Sequence, residues 1–177
     1  AYLGAFGIVA CLEAGADVVV CPRVTDASLV VGPLAWHYGW ARDDYDRLAS
    51  MVVAGHVLEC GPQATGGNYA FFEEVPGLEH PGFPLAEIEP DGSFVVAKHP
   101  GTGGQVSIGT VTTQLLYENA GPDYANPDAV ARFDTIRLEE PGPERVRVSG
   151  VRGAPPSGEI KLCINYPGGF RNSMTLL

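Results

Sequence analysis

The sequence contains no apolar run approaching the ~18 residues that a membrane-spanning helix needs, no CxxC pair and little positive charge. Its four cysteines, Cys11, Cys21, Cys60 and Cys163, are widely separated, which predicts neither a zinc knuckle nor a disulfide framework and favours a reducing cytoplasm. With 11 Lys and Arg against 21 Asp and Glu, the net charge is -10, which repels nucleic acid and anionic membranes. We therefore expect no nucleic-acid partner and no membrane partner.

The composition of the 177 residues, 45% hydrophobic and 18% charged, is typical of a globular domain. The chain begins at Ala1 without an initiator Met and enters an apolar, helix-like run at once. It stops within RNSMTLL, about one turn into a new element. These ends predict an internal fragment of one domain, truncated at both ends.

Residues 1–60 have the pattern of a helix and strand layer. Helix-favouring residues from Ile8 to Ala14 precede DVVVC, Asp17 to Cys21, which has no polar alternation and predicts a short buried strand. Thr25 or Asp26 would cap the helix that follows. A further helix is predicted over Asp43 to Cys60, with acidic residues in its first turn and apolar residues at helical spacing.

Residues 61–177 predict a β-rich part with one helix. The pattern predicts hairpins over residues 85–98 and 135–153, a helix over 110–118 and a strand over 159–166. The expected fold class is therefore α/β: a mixed sheet with helices packed on it, a loop- and hairpin-rich second half, and an incomplete fragment.

Arg23 and Asp26 follow the first predicted strand directly, and ligands bind at the carboxyl ends of strands in open α/β sheets. Arg23 could clamp a carboxylate or phosphate, and Asp26 could act as a base, a cap or a ligand-orienting group. The structural alternative is that Asp26 only caps a helix and pairs with Arg23.

His56, Glu59 and Cys60 are spaced i, i+3 and i+4, so on a helix they share a face. Such a face could hold an acid, a base and a thiol together, or it could be a structural helix end. No other residue completes a metal-ligand set at a recognisable spacing, and HExxH is not matched. The predicted catalytic residues are Asp26, His56 and Glu59, with no metal ligands.

Two glycine-bearing loops supply the remaining substrate-binding candidates. The first follows the long helix and contributes Gln63, Thr65, Gly66 and Gly67. The second joins a strand end to a helix N-terminus, where unpaired N–H groups and the helix dipole favour an anion, and contributes Lys98, Thr102, Gly103 and Gly104. Each loop could instead be a plain turn.

Two common motifs are excluded at the second loop. A P-loop places its lysine after the glycines, whereas Lys98 comes before them. In the segment around Ser107, Gln105 stands where the first glycine of GxSxG belongs, which argues against a serine hydrolase.

Several long motifs occur together in order: GADVVVCPRVTDASLVVGP, AGHVLECGPQATGGNYA, KHPGTGGQVSIGTVTTQLLYE, PDYANPDAVARFDTIRLEEPG and RVRVSGVRG. In this order they resemble the acyclic terpene utilisation AtuA family, also catalogued as a domain of unknown function, over essentially the whole chain. One departure is Cys21-Pro22 before Arg23, where family members often have GR or TGR.

The resemblance implies bacterial catabolism of acyclic terpenes such as citronellol and geraniol, through acyl-CoA thioesters. It implies an enzyme, or a portion of one, that binds an anionic acyl-CoA or carboxylate substrate. A CoA thioester would be the substrate, and no cofactor is implied. The alternatives are a noncatalytic ligand-binding or complex-forming subunit of an acyl-CoA pathway, and a metal-dependent lyase or hydrolase centred on His56 and Glu59. We expect a small-molecule substrate, with a homo-oligomer or an acyl-CoA enzyme as the candidate partner.

Overall fold

The computed structural model describes residues 1–175, which fold into helices packed on two antiparallel sheets. The helices are α1 (Phe6–Glu13), α2 (Ser28–Tyr38), α3 (Tyr45–Glu59) and α4 (Ile108–Leu116). The strands are β1 (Pro84–Ile88), β2 (Phe94–Lys98), β3 (Asp123–Ala125), β4 (Val130–Arg132), β5 (Arg137–Gly142), β6 (Arg145–Ser149) and β7 (Arg152–Ala154). The predicted α/β class is confirmed.

The larger sheet has the strand order β1-β2-β6-β5 and contains both predicted hairpins. In the first hairpin, Asp91 and Gly92 stabilise the tight turn between the two strands. Gly92 takes a φ of +88°, and the Asp91 carboxylate accepts hydrogen bonds from the backbone and hydroxyl of Ser93, both at 2.8 Å. The smaller sheet has the order β3-β4-β7, and every named strand within residues 1–175 lies in the part predicted to be β-rich, residues 61–177.

Helix α3 forms the centre of the core. Ten consecutive residues, Leu48 to Val57, are buried, so the helix is covered on all sides rather than along one stripe. Helix α2 packs against it very closely at Gly55, where a Cβ atom would lie 2.5 Å from the Cα of Ala27. This glycine therefore brings the start of α2, including Asp26, against the last turn of α3.

Two predicted strands are wrong. Residues 17–21 form no strand, and Val18 and Val20 are 80% and 91% exposed. Residues 159–166 likewise form no strand and are exposed. Their composition favours a strand, but a strand needs a neighbour that pairs along its length. Within residues 1–175, the single backbone–backbone hydrogen bond to either segment is the one from the N–H of Tyr2 to Lys161, at 2.9 Å.

Candidate functional site

A pocket of about 500 Å³ lies where the C-terminal ends of α3 and α4 meet the start of α2. Three carboxylates line it: Asp26, Glu59 and Glu118. Leu29, Val30 and Leu58 form its apolar wall, and Gly55, Cys60 and Tyr117 complete it. We call this the acidic pocket.

The acidic pocket is negative for two reasons. Its three carboxylates come from three different elements, and the C-terminal ends of two helices add the negative pole of their dipoles. The pKa of the Cys60 thiol is raised, first by burial and then by the negative charges of Glu59, Glu118 and Asp26. Cys60 is therefore a neutral thiol near pH 7 rather than a thiolate nucleophile.

A second recess of about 510 Å³ adjoins the acidic pocket and contains Arg23. Asp26 and Leu29 line both cavities, so the two adjoin at these residues, and we call them together the groove. Arg23 lies 5.5 Å from the ring centroid of Tyr2, and no ion pair joins it to Asp26 in the described structure. We call this cavity the Arg23 recess.

Asp26 does not cap α2. That helix begins after Ala27 with no side-chain cap, and the backbone N–H of Ser28 donates to the backbone oxygen of Thr25 at 2.8 Å. The Thr25 hydroxyl instead meets the Ser28 hydroxyl at 2.7 Å. The predicted cap is therefore wrong, and the exposed Asp26 carboxylate is free to act in the groove.

His56 lies behind the acidic pocket rather than in its wall. Its side chain is only 1% exposed, and its ring packs 5.2 Å from Tyr124 and 6.0 Å from Phe133, between centroids. Its Nδ1 lies 3.0 Å from Oε1 of Glu59, and a carboxylate only accepts, so Nδ1 carries the proton. His56 therefore orients Glu59, and direct contact between His56 and a ligand is not supported.

Gln63 and Gln114 each contact a wall residue of the acidic pocket, although neither lines the pocket itself. The buried Oε1 atom of each has no hydrogen-bond partner in the described structure. Gln63 interacts with Tyr117, and Gln114 donates from Nε2 to the backbone oxygen of His56 at 3.0 Å while also contacting Cys60. Gln63 therefore stays a candidate substrate-binding residue, whereas Gln114 holds the pocket wall together.

The other members of the first glycine-bearing loop have structural roles. Thr65 is fully buried, and its hydroxyl donates to the backbone oxygen of Gly82 at 2.6 Å. Gly66 takes a φ of +116° at the end of a short 3-10 helix, Gly61–Thr65, and the N–H of Gly67 donates to Pro62 at 2.9 Å. Substrate contact by Thr65, Gly66 and Gly67 is not supported.

We expect Thr65→Val to lower the free energy of unfolding by about 1–3 kcal/mol, because it leaves the carbonyl of Gly82 buried and unpaired. Urea denaturation measures this loss. Thr65→Ser keeps the hydroxyl and is the matched control, so equal losses in both variants would contradict the role of the hydrogen bond.

The GTGG turn uses its amides internally. Four consecutive N–H groups, from Thr102 to Gln105, all donate to backbone oxygens. The last three bonds are the shorter ones, reaching His80 at 3.0 Å, Pro76 at 2.8 Å and Thr65 at 2.8 Å. These bonds hold the turn against the loop of residues 76–82 and against the first glycine-bearing loop, and they leave none of the four amides for an anion.

The N-terminus of α4 is likewise occupied by the protein's own carboxylates. Glu144 accepts from the N–H of Val106 and Glu140 from that of Ile108, both at 2.8 Å. Lys98 donates to the backbone oxygen of Thr102 at 2.9 Å and lies 3.6 Å from Glu144. The anion site predicted at Lys98, Thr102, Gly103 and Gly104 is therefore not supported.

Of the predicted site, the structure thus brings together Arg23, Asp26 and Glu59, and it places Gln63 against Tyr117 of the pocket wall. It adds Tyr117 and Glu118. The sequence places these two residues about one turn beyond Gln114, but no local pattern shows that they lie beside α3. Within the described residues, no group of three or more His, Cys, Asp or Glu side chains is arranged to hold a metal ion. Nor do residues 1–175 include a helix with the length and apolar character required to cross a membrane.

The fold and groove define an α/β protein in which an arginine recess adjoins a pocket lined by carboxylates. The chain belongs to the acyclic terpene utilisation family, AtuA, whose family model matches residues 1–177. Its involvement in acyclic terpene utilisation follows from this membership. No curated protein and no solved structure matches the chain.

Proposed function

We propose that this chain is an enzyme, or a portion of one, that performs acid–base chemistry on a branched acyl compound, either a carboxylate or an acyl-CoA thioester. One observation carries the proposal: Asp26 lines both the Arg23 recess and the acidic pocket. A charged group that binds an anion and a set of proton-transferring groups are thereby adjacent along one groove.

The two cavities have different roles because their charges differ. A substrate carboxylate or phosphate fits the Arg23 recess, where a guanidinium can bind it in a bidentate manner. The acidic pocket repels such a group, so it receives the neutral acyl part, against Leu29, Val30 and Leu58. The anion-binding role assigned to the GTGG turn is thus replaced by Arg23.

Within the acidic pocket, Asp26 is the proposed proton-transferring group because it lies between the two cavities, next to the bound acyl carbon atoms. Glu59, held by His56, and Glu118 are further acid–base groups in the same pocket. Gln63 places a side-chain amide, whose buried oxygen has no partner, against Tyr117 of the pocket wall.

The proposal is tested by calorimetric titration of the protein with a branched acyl-CoA and with the corresponding free acid. Loss of an ion pair to the substrate in Arg23→Ala is expected to weaken binding about tenfold or more. Arg137→Ala, which removes an exposed arginine of β5, is the matched control and is expected to bind normally. Equal affinity in the wild-type and Arg23→Ala proteins would exclude the role of the recess.

A complex-forming subunit is the second candidate function. It is favoured by the exposed apolar residues of segments 17–21 and 159–166, which are unusual on an isolated protein. Normal ligand binding with no turnover by the purified protein, and turnover restored by an acyl-CoA enzyme partner, would favour this function over the first.

A further inference from the structure

A cavity of about 730 Å³ lies along helix α1 and adjoins the Arg23 recess at Cys21, Pro22 and Val24. Its walls are mainly apolar, and among the described residues two charged side chains line it, those of Arg42 and Asp128. The apolar wall includes Leu3, Phe6, Ile8, Val19 and Val20. A volume of this size, with apolar walls and a few polar groups, is typical of a small-molecule site. We call it the α1 cavity.

Gly7 keeps part of the α1 cavity open. It lines the cavity, and a Cβ atom at this position would meet no atom of a neighbouring element within 4 Å. Glycine is, after proline, the residue least suited to a helix, and no close packing contact of α1 requires it here. A larger side chain at residue 7 would therefore favour the helix and occupy the cavity at the same time.

Asp128 is a buried carboxylate with unused hydrogen-bonding capacity. It is 8% exposed, and both of its oxygens accept from the same N–H, that of Ala5, at 3.0 and 2.9 Å. Burial raises the pKa of this carboxyl, against the lowering effects of the Ala5 N–H and of Arg42. A carboxylate can accept about four hydrogen bonds, and a buried charge is normally paired. Asp128 can therefore accept from a positively charged donor in the cavity.

Arg42 supplies the opposite charge at the same cavity. Its guanidinium lies over the ring of Phe6, 4.2 Å from the centroid. Within the described residues, neither Arg42 nor Asp128 takes part in an ion pair, although Arg42 is near enough to lower the pKa of Asp128. A guanidinium binds a carboxylate in a bidentate manner. The α1 cavity thus presents a cation and an anion near each other, each without an ionic partner.

We propose that the α1 cavity binds a free α-amino acid with an apolar side chain, such as leucine. The ligand carboxylate pairs with Arg42, its ammonium group pairs with Asp128, and its side chain lies against the apolar wall beside Gly7. A ligand with one charge would satisfy one of the two protein groups and leave the other unpaired. The site is independent of the proposed function, because neither Arg23 nor Asp26 lines the α1 cavity.

Calorimetric titration with three ligands of one branched skeleton tests the ligand class. L-leucine carries both charges, 4-methylpentanoate lacks the ammonium group, and 3-methylbutylamine lacks the carboxylate. Leucine is expected to bind about tenfold or more tightly than either analogue, because each analogue loses charge-assisted hydrogen bonds. No binding of leucine at millimolar concentrations, or an analogue that binds as tightly as leucine, overturns the proposal.

Two glycine variants locate the site without removing a charged group. Gly7→Leu fills the cavity and is expected to weaken leucine binding about tenfold or more, because the ligand side chain loses its apolar contacts. Gly121→Leu is the matched control, because Gly121 also has open space around it and does not line the cavity. Leucine affinity that is unchanged in Gly7→Leu, or equally weakened in both variants, overturns the location.

Two arginine variants separate the α1 cavity from the Arg23 recess. Arg42→Gln should weaken leucine binding about tenfold or more and leave 3-methylbutylamine binding unchanged, since this amine has no carboxylate to lose a partner. Arg23→Ala, which tests the proposed function, should leave leucine binding unchanged, so the two proposals can fail separately. Leucine binding that is lost in Arg23→Ala and kept in Arg42→Gln would place the amino acid in the Arg23 recess and overturn the α1 site.

Discussion

Asp26→Asn is expected to lower the turnover of a branched acyl-CoA about 100-fold or more, while substrate affinity changes much less. An amide has nearly the shape of the carboxylate but cannot accept and return a proton, and general acid–base groups typically contribute 10²–10⁴-fold. The measurement is kcat and KM in the steady state, with the pH profile of kcat. Loss of the acid–base group should remove or displace one limb of that profile.

Asp43→Asn is the matched control for this prediction. Asp43 is also an exposed aspartate, located in the loop before α3, and lines neither cavity of the groove. It should leave both kinetic parameters unchanged. If Asp26→Asn keeps wild-type kcat, the acid–base role falls to Glu59 or Glu118, and a parallel loss in Asp43→Asn would point to general electrostatics instead of proton transfer.

Gly103→Ala is expected to lower the free energy of unfolding by about 3 kcal/mol, which is a severe effect for one methyl group. A Cβ atom at this position would lie 1.8 Å from the backbone oxygen of Gly77 and 2.8 Å from that of His80. Both obstacles are backbone, so the loop of residues 76–82 must move. That movement breaks the bonds from Gly103 to His80 and from Gly82 to Gly103, now 3.0 and 2.8 Å.

Two other glycines separate crowding from backbone strain. Gly101 has a φ of +79° with open space around it, so Gly101→Ala should cost about 1–2 kcal/mol through left-handed strain alone. Gly121 has neither constraint, and its replacement should have little effect. Urea denaturation of the three variants gives the ranking. A Gly103→Ala protein as stable as Gly121→Ala would show that the turn is not packed as described.

The GTGG turn has the sequence pattern of an anion site, but the protein's own carboxylates occupy the helix N-terminus that follows it. As a sequence, a strand-end lysine, a glycine turn and a helix N-terminus suit an anion, and the structure does contain all three parts. However, Glu140 and Glu144 of the β5–β6 hairpin already accept hydrogen bonds from N–H groups at this helix N-terminus, those of Ile108 and Val106 respectively. A motif cannot reveal this, because the competing carboxylates lie more than thirty residues further along the chain.

Local patterns were sufficient where the deciding interactions are local. The hairpin turn at Asp91-Gly92, the β5–β6 hairpin, α3 and α4 were all predicted from residues within a few positions of each other, and all are confirmed. Local patterns are insufficient for residues 17–21 and 159–166. Their composition is strand-like, but pairing depends on a neighbour that no local pattern supplies.

By itself, the sequence determined the α/β class, the positions of most helices and hairpins, the acidic overall charge, and Arg23, Asp26 and Glu59 as candidate groups. Only the tertiary structure decided which of the candidates share a groove. The close contact of Gly55 with Ala27 brings Asp26 to Glu59, and the end of α4 adds Glu118. Side chains from three separate elements meet through packing, and packing depends on distances in space rather than on spacing along the chain.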